Sequence, residues 1–159
     1  MSTDPSTYCF NHTMLRVKDP KVSLKFYVEV LGMKLLHQMD NEAGKFTLYF
    51  LAYADDVPTN KEEAHAAAFS RPGVLELTHN WGTESDPSFQ GYHNGNTAPQ
   101  GFGHIAVVVD NLEAACARFD TMGVSWKKRV HEGNMKNIAF LLDPDGYWIE
   151  ILESGFPRK

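Results

Sequence analysis

Cysteine is scarce in this chain. There are two in 159 residues, 107 apart, and neither Cys9 nor Cys116 stands in a CxxC spacing. Two such thiols make neither a disulfide framework nor a cysteine-based zinc module. Cys116 falls inside a helical pattern, LEAACARF, where it is expected to pack as a small apolar residue. Long apolar runs are also missing. No stretch approaches the roughly 18 residues of a spanning helix, so no membrane partner is expected. The N-terminal MSTDPSTYCF is polar where a secretory signal needs an apolar centre, which leads us to expect a reducing, cytoplasmic location. Nor is there an excess of positive charge. Lys and Arg total 15 against 20 Asp and Glu, a formal net charge of −5, and no run of like charge exceeds three residues. That balance argues against nucleic acid or an anionic lipid surface as a main partner. A chain of this length can bury about 68–70% of its unfolded surface without a covalent staple.

What the sequence does contain is a pattern that occurs twice. An apolar segment at 10–17 reads as a strand. Asp19 is a plausible N-cap and Pro20 a first helical residue. In PKVSLKFYVEVLG the residues Val22, Phe26, Tyr27 and Val30 recur at helical spacing, with Gly32 as the stop. Strands are expected at 33–39, 45–53 and 73–79, with a turn at 41–44. The second pass runs through a strand at 103–109, a helix from Asp110-Asn111 to Gly123, and strands at 124–130, 136–142 and 147–153. DPDG at 143–146 forms a type I or II turn. Each half is therefore strand, helix, strand, strand, strand, and the expected fold class is α+β, built from paired βαβββ modules. The domain plan is an arm at 1–9, a first module at 10–80 with an insert at 54–71, a connecting loop at 81–101, a second module at 102–153 and a tail at 154–159. The insert contains EEAHAAAF, a short helix candidate.

Four residues with polar or charged side chains sit inside these apolar strands. His12 opens HTMLRV and Glu76 lies in VLELT; His104 opens HIAVVV and Glu150 lies in YWIEIL. A lone strand histidine is commonly a satisfied core residue, and a lone glutamate commonly faces water. The repetition gives four awkward positions one explanation. Two imidazoles and two carboxylates form a donor set for a borderline divalent cation, with zinc the first choice and nickel or cobalt compatible. His104 follows His12 by 92 residues and Glu150 follows Glu76 by 74. The difference equals the length of the insert, so the two pairs occupy equivalent places. Alternation puts His12, Met14 and Arg16 on one strand face, and Glu76, Thr78 and Asn80 on another. Arg16 would lie roughly 13 Å along the strand from His12, where an anionic substrate group could reach it. Phe46, Leu48 and Phe50 alternate into one apolar face.

As a set, the segments TMLRVKDP, FYVEVLGM, TLYFLAY, LELTHNWGTE, YHNGN, GFGHIAV and LLDPDGYWIEIL resemble the glyoxalase I family of the vicinal oxygen chelate superfamily. They span nearly the whole chain. The resemblance implies a homodimer in which His12 and Glu76 of one subunit meet His104 and Glu150 of the other around a metal at the dimer interface. It also implies isomerisation of the methylglyoxal–glutathione hemithioacetal to S-lactoylglutathione, with glutathione as cosubstrate. Glu150 would be the base, with Glu76 serving the opposite substrate configuration. Arg16, Asn80 and Lys128 would hold the glutathione carboxylates, and Phe46, Leu48, Phe50 and Met135 would line the apolar pocket. Two positions depart from the pattern. Gln100 stands where many long-form members have Arg, and a neutral amide loses the bidentate cation. His12 stands where long members often have Gln, although the insert at 54–71 resembles the zinc-type class. Within the superfamily the alternatives are an epimerase, thiol transferase or dioxygenase, or a metal-free small-molecule-binding dimer. A dioxygenase would show His in place of Glu76, and the metal-free binders typically lack the four ligands.

Overall fold

The computed structural model describes residues 3–155. The tail residues 156–159 and the first two residues of the arm lie outside the described residues. Two units are present, Met1–Gln90 and Gly91–Lys159, each built on its own four-stranded sheet.

In the first unit the order is β1 (His12–Val17), α1 (Pro20–Lys25), β2 (Lys34–Asn41), β3 (Phe46–Ala52), α2 (Lys61–Phe69) and β4 (Val74–Asn80). The sheet runs β1-β4-β3-β2, with β1 and β4 parallel and the remaining pairs antiparallel. In the second unit β5 (His104–Val109), α3 (Leu112–Thr121), β6 (Ser125–Lys128), β7 (Ile138–Leu142) and β8 (Trp148–Glu153) follow. That sheet runs β5-β8-β7-β6, with β5 and β8 parallel. The two topologies are the same. The first unit differs by carrying α2 within the expected insert. Asn60 caps α2 by accepting a hydrogen bond from Glu63 N at 2.8 Å.

Local chemistry explains the element ends. The Asp19 side chain accepts from Lys21 N at 2.9 Å, with Pro20 in the first helical position, as its residue types dictate. The Asn111 side chain does the same for α3 by accepting from Ala114 N at 2.8 Å. In the 143–146 turn Gly146 N donates to Asp143 O at 3.0 Å, and Asp143 Oδ1 accepts from Asp145 N and Tyr147 N. Buried Cys116 packs in α3 as a small apolar residue, and burial raises its thiol pKa.

The buried face of the first helix differs from the one its spacing implied. Val22 is half exposed, whereas Ser23 and Tyr27 are fully buried. Ser23, Phe26, Tyr27 and Val30 keep the i, i+3, i+4, i+7 spacing, so a small polar residue, and not Val22, opens the inward stripe. After Lys25 the helix widens into a π-helical turn at Phe26–Val30, in which Leu31 N reaches back to Phe26 O at 3.1 Å. Gly32 then ends it at φ 77°.

Cross-strand partners share a sheet face. The odd-numbered residues of the second sheet include Ile149, Ile151, Ala139 and Leu141, all fully buried. Helix α3 lies on that face, with Phe119 edge-on to Trp126 and Leu112 N donating to Glu153 Oε2 at 2.9 Å. In the first sheet Leu15, Val17, Leu75, Leu77 and Leu51 form the corresponding buried layer. The start of α1 meets this face beside a cavity of about 330 Å³ lined by Tyr49, His79 and Trp81. Both opposite faces remain for other use.

Candidate active site

The strand register brings seven of the expected first-module residues onto one face. Met14 pairs with Glu76 and Glu76 with Phe50, while Arg16 pairs with Thr78 and Thr78 with Leu48. Phe46 pairs with Asn80, and His12 stands two residues before Met14 on the same strand. His12, Arg16, Glu76, Asn80, Phe46, Leu48 and Phe50 therefore share a surface. On this face Phe50 is fully buried and Arg16 is exposed. Arg16 has no hydrogen-bond or ion-pair partner among the described residues.

Within this face His12 Nε2 lies 3.1 Å from Glu76 Oε2. The Glu76 side chain is only 13% exposed, and its Oε1 accepts from Thr78 Oγ1 at 3.1 Å. His12 Nδ1 lies 2.6 Å from Asn11 Oδ1. The imidazole meets Phe50 and Phe69 edge-on, with ring centroids at 6.0 and 6.2 Å.

The second sheet repeats the arrangement. Ala106 and Phe140 flank Glu150 in register, and His104 stands two residues before Ala106. His104 Nε2 lies 3.2 Å from Glu150 Oε2, with the Glu150 side chain 18% exposed. Phe140 meets His104 edge-on at 5.3 Å, the counterpart of Phe50 beside His12. Asn96, from the YHNGN segment, donates to Gly103 O at 2.6 Å and holds the backbone just before His104. Asn94 donates to Gly146 O at 2.9 Å and ties the same segment to the β7–β8 turn.

Lys128 and Met135 meet in the second unit. Lys128 pairs with Phe140, next to Glu150 across β7, so it is on the pair-bearing face. Its ammonium is already engaged, donating to the carbonyls of Met135 and Ile138 at 2.7 Å each and of Arg129 at 3.2 Å. Met135 is exposed in the loop that this ammonium clasps. Gln100 is exposed in the segment before β5.

Three neighbours of the site escaped the sequence reading. Phe140 was legible only through its position, one register step from Glu150 as Phe50 is from Glu76. Asn11 shows nothing in the sequence beyond lying next to His12. His37 pairs with Phe50, stacks on it at 6.1 Å and meets His65 of α2 at 5.5 Å. Its pKa is lowered, first by burial and then by the nearby positive charge of His65 and Lys61, which favours the neutral ring.

Each unit thus presents a nitrogen and a carboxylate oxygen 3.1–3.2 Å apart. Two adjacent donors on one cation, each about 2.0–2.2 Å from it, stand about 2.8–3.6 Å apart, depending on the angle. The donor chemistry and spacing of both pairs therefore fit a divalent metal. Among the described residues no group of three or more His, Cys, Asp or Glu that could hold a metal ion is present, and each unit supplies two donors.

A family model described as Glyoxalase/Bleomycin resistance protein/Dioxygenase superfamily matches residues 10–151. The chain is 58% identical over 149 residues to a lactoylglutathione lyase of Pseudomonas aeruginosa, covering 92% of this chain and 83% of that one. It is 52% identical over 149 residues to a lactoylglutathione lyase of Schizosaccharomyces pombe, covering 93% of this chain and 46% of that one. Among solved structures, the trypanothione-dependent glyoxalase I of Leishmania major matches with a TM-score of 0.64 and 34% identity, covering 92% of this chain and 87% of that chain. Glyoxalase I from Zea mays matches with a TM-score of 0.68 and 28% identity, over 92% of this chain and 45% of that one.

Proposed function

The chain belongs to the Glyoxalase/Bleomycin resistance protein/Dioxygenase superfamily, and from that premise we infer that it isomerises the methylglyoxal–glutathione hemithioacetal to S-lactoylglutathione. This is the activity of a lactoylglutathione lyase, and it detoxifies methylglyoxal. The observation that carries it is the repeated His–Glu pair, in a chain 58% identical to a relative bearing that name.

The reaction needs no oxidant: it moves the carbon-bound proton from one carbon to the next and the hydroxyl proton from the first oxygen to the second. The hemithioacetal carbon that carries sulfur and hydroxyl loses its proton, the electron pair passes toward the neighbouring carbonyl, and that carbon is reprotonated. The product is a thioester with the same atoms. The hard step is acidity, because such a C–H bond resists ionisation near neutral pH.

His12, Glu76, His104 and Glu150 would hold one divalent metal, zinc by preference, with nickel or cobalt compatible. Bound there, it would supply Lewis-acid stabilisation of the oxygen charge that develops as the proton leaves. Glu150 takes the proton and returns it to the adjacent carbon, aided by its shielded position beside Phe140 and Trp148. Glu76, shielded on its own sheet, serves the opposite epimer. Because each unit offers only two donors, we propose that the chain works as a homodimer, with the first pair of one protomer meeting the second pair of its partner. Arg16 is exposed on the face that carries His12 and suits a carboxylate of the glutathione, with Asn80 further along β4. Lys128 serves by clasping the loop that carries Met135. Phe46, Leu48, Phe50 and Met135 give the methyl group and thioether an apolar surround. The exposed free thiol of Cys9 suits a reducing, cytoplasmic setting.

The test supplies zinc-loaded protein with methylglyoxal and glutathione and follows thioester formation by ultraviolet absorbance. Turnover well above the uncatalysed rate is expected. Metal-loaded, folded protein that leaves this hemithioacetal untouched would overturn the assignment. Parallel assays with other low-molecular-weight thiols determine whether glutathione is the preferred cosubstrate.

A further inference from the structure

We propose that Asn11 is a positioning residue: carried by the end of helix α2, it fixes the tautomer and direction of the His12 imidazole so that Nε2 is the nitrogen offered to the metal. This rests on the assignment of His12 as a ligand.

The carboxamide of Asn11 has no freedom left. Its Nδ2 donates to Arg71 O at 2.6 Å and to Ala68 O at 3.0 Å, which uses both hydrogens. Turning the amide over would set Oδ1 against two carbonyl oxygens, so Oδ1 must face the ring. It meets His12 Nδ1 at 2.6 Å and can only accept, which puts the ring proton on Nδ1. In the neutral imidazole, Nε2 then keeps its lone pair, aimed at the side on which Glu76 Oε2 stands 3.1 Å away. A ring lone pair and a carboxylate oxygen at that distance are two donors that one cation can take.

The carbonyls that hold Asn11 belong to the last residues of the insert. Arg71 Nε donates to Ala67 O at 2.7 Å and ties this helix end together. Asn11 O accepts from Val74 N at 3.1 Å, joining the residue to β4 two positions before Glu76. Phe69, also of α2, lies against the edge of the His12 ring. The insert therefore grips the imidazole through a hydrogen-bonded relay and through an aromatic contact.

The second module has no such relay and no counterpart of Phe69, although Phe140 meets His104 edge-on as Phe50 meets His12. Residue 103 is Gly, no helix follows β7, and His104 Nδ1 has no hydrogen-bond partner among the described residues. The His104 side chain is also more exposed, 42% against 34% for His12. One histidine of the set is preorganised and the other is not. This gives the insert a chemical role: it orients a ligand in the module that carries it. Hydrogen-bond partners of this kind typically contribute about 10–100-fold in metal affinity.

The experiment has two readouts, neither of them turnover. Histidine ¹⁵N spectra of the metal-free wild-type protein, taken at alkaline pH where imidazoles are neutral, should show the His12 proton on Nδ1. In Asn11→Ala the His12 signal should shift toward the Nε2–H form. Zinc affinity by chelator competition should fall about 10–100-fold in Asn11→Ala and further in His12→Ala. A wild-type His12 protonated on Nε2 would overturn the proposal, and that measurement does not depend on the variant folding. So would Asn11→Ala binding zinc as wild type does while His12→Ala loses it. If His12→Ala itself keeps wild-type affinity, the ligand assignment fails and takes this inference with it.

Discussion

Replacing Glu150 by Gln is expected to lower turnover of the hemithioacetal by about 10²–10⁴, the usual worth of a positioned base. The substitution keeps the shape of the side chain and one oxygen that can face His104, but removes the proton acceptor. Zinc should remain bound, more weakly. The fold should survive, because among the described residues the polar partner of the Glu150 carboxylate is His104 and no backbone group depends on it. Glu76→Gln is expected to lose less with the epimer served by Glu150. Its charge is more deeply shielded, however, and it also accepts from Thr78. Metal content must therefore be measured in each variant before rates are compared. If metal-loaded Glu150→Gln kept near-wild-type turnover while Glu76→Gln lost it, the two roles would be reversed.

Removing the metal should have a still larger effect. A chelator is expected to abolish turnover, and zinc, nickel or cobalt should restore it to differing extents, because a two-imidazole, two-carboxylate set accepts all three. The reason is electrostatic: Glu150 can take the proton only if the charge left behind on oxygen is stabilised. Activity recovery and metal content should rise together during titration with the ion. Full turnover in protein shown by elemental analysis to be metal-free would contradict the account.

The repeat was legible because its signals are local. Strand alternation, the Asp19 and Asn111 caps, and the two His–Glu pairs need only sequence spacing. Register then follows from alternation, which is why Arg16, Asn80, Phe46, Leu48 and Phe50 fall on the His12 face. Val22 is exposed because the neighbouring Ser23 takes the inward place, and a serine is a letter that hydropathy does not assign to a buried stripe. His37 escaped notice because the bulge between Leu35 and His37 offsets the pairing, and a lone strand histidine has many ordinary explanations. Asn11 and the clasp made by Lys128 depend on carbonyl groups distant in sequence, and a carbonyl has no letter in a sequence. The insert read as polar and Ala-rich, with a short helix. Its link to His12 is purely tertiary.

If two half-sites, one per βαβββ module, are completed across a homodimer, mixing of subunits must restore what each variant lacks. Glu76→Gln and Glu150→Gln chains, each impaired alone, are dissociated, combined and reassociated, and turnover is measured. In a mixed dimer one of the two interfacial sites would carry wild-type His12, Glu76, His104 and Glu150, so activity should return in proportion to the fraction of mixed dimers. If no mixture of the two variants regains activity although mixed dimers form, the site does not draw its pairs from different subunits, and the shared-site account is wrong.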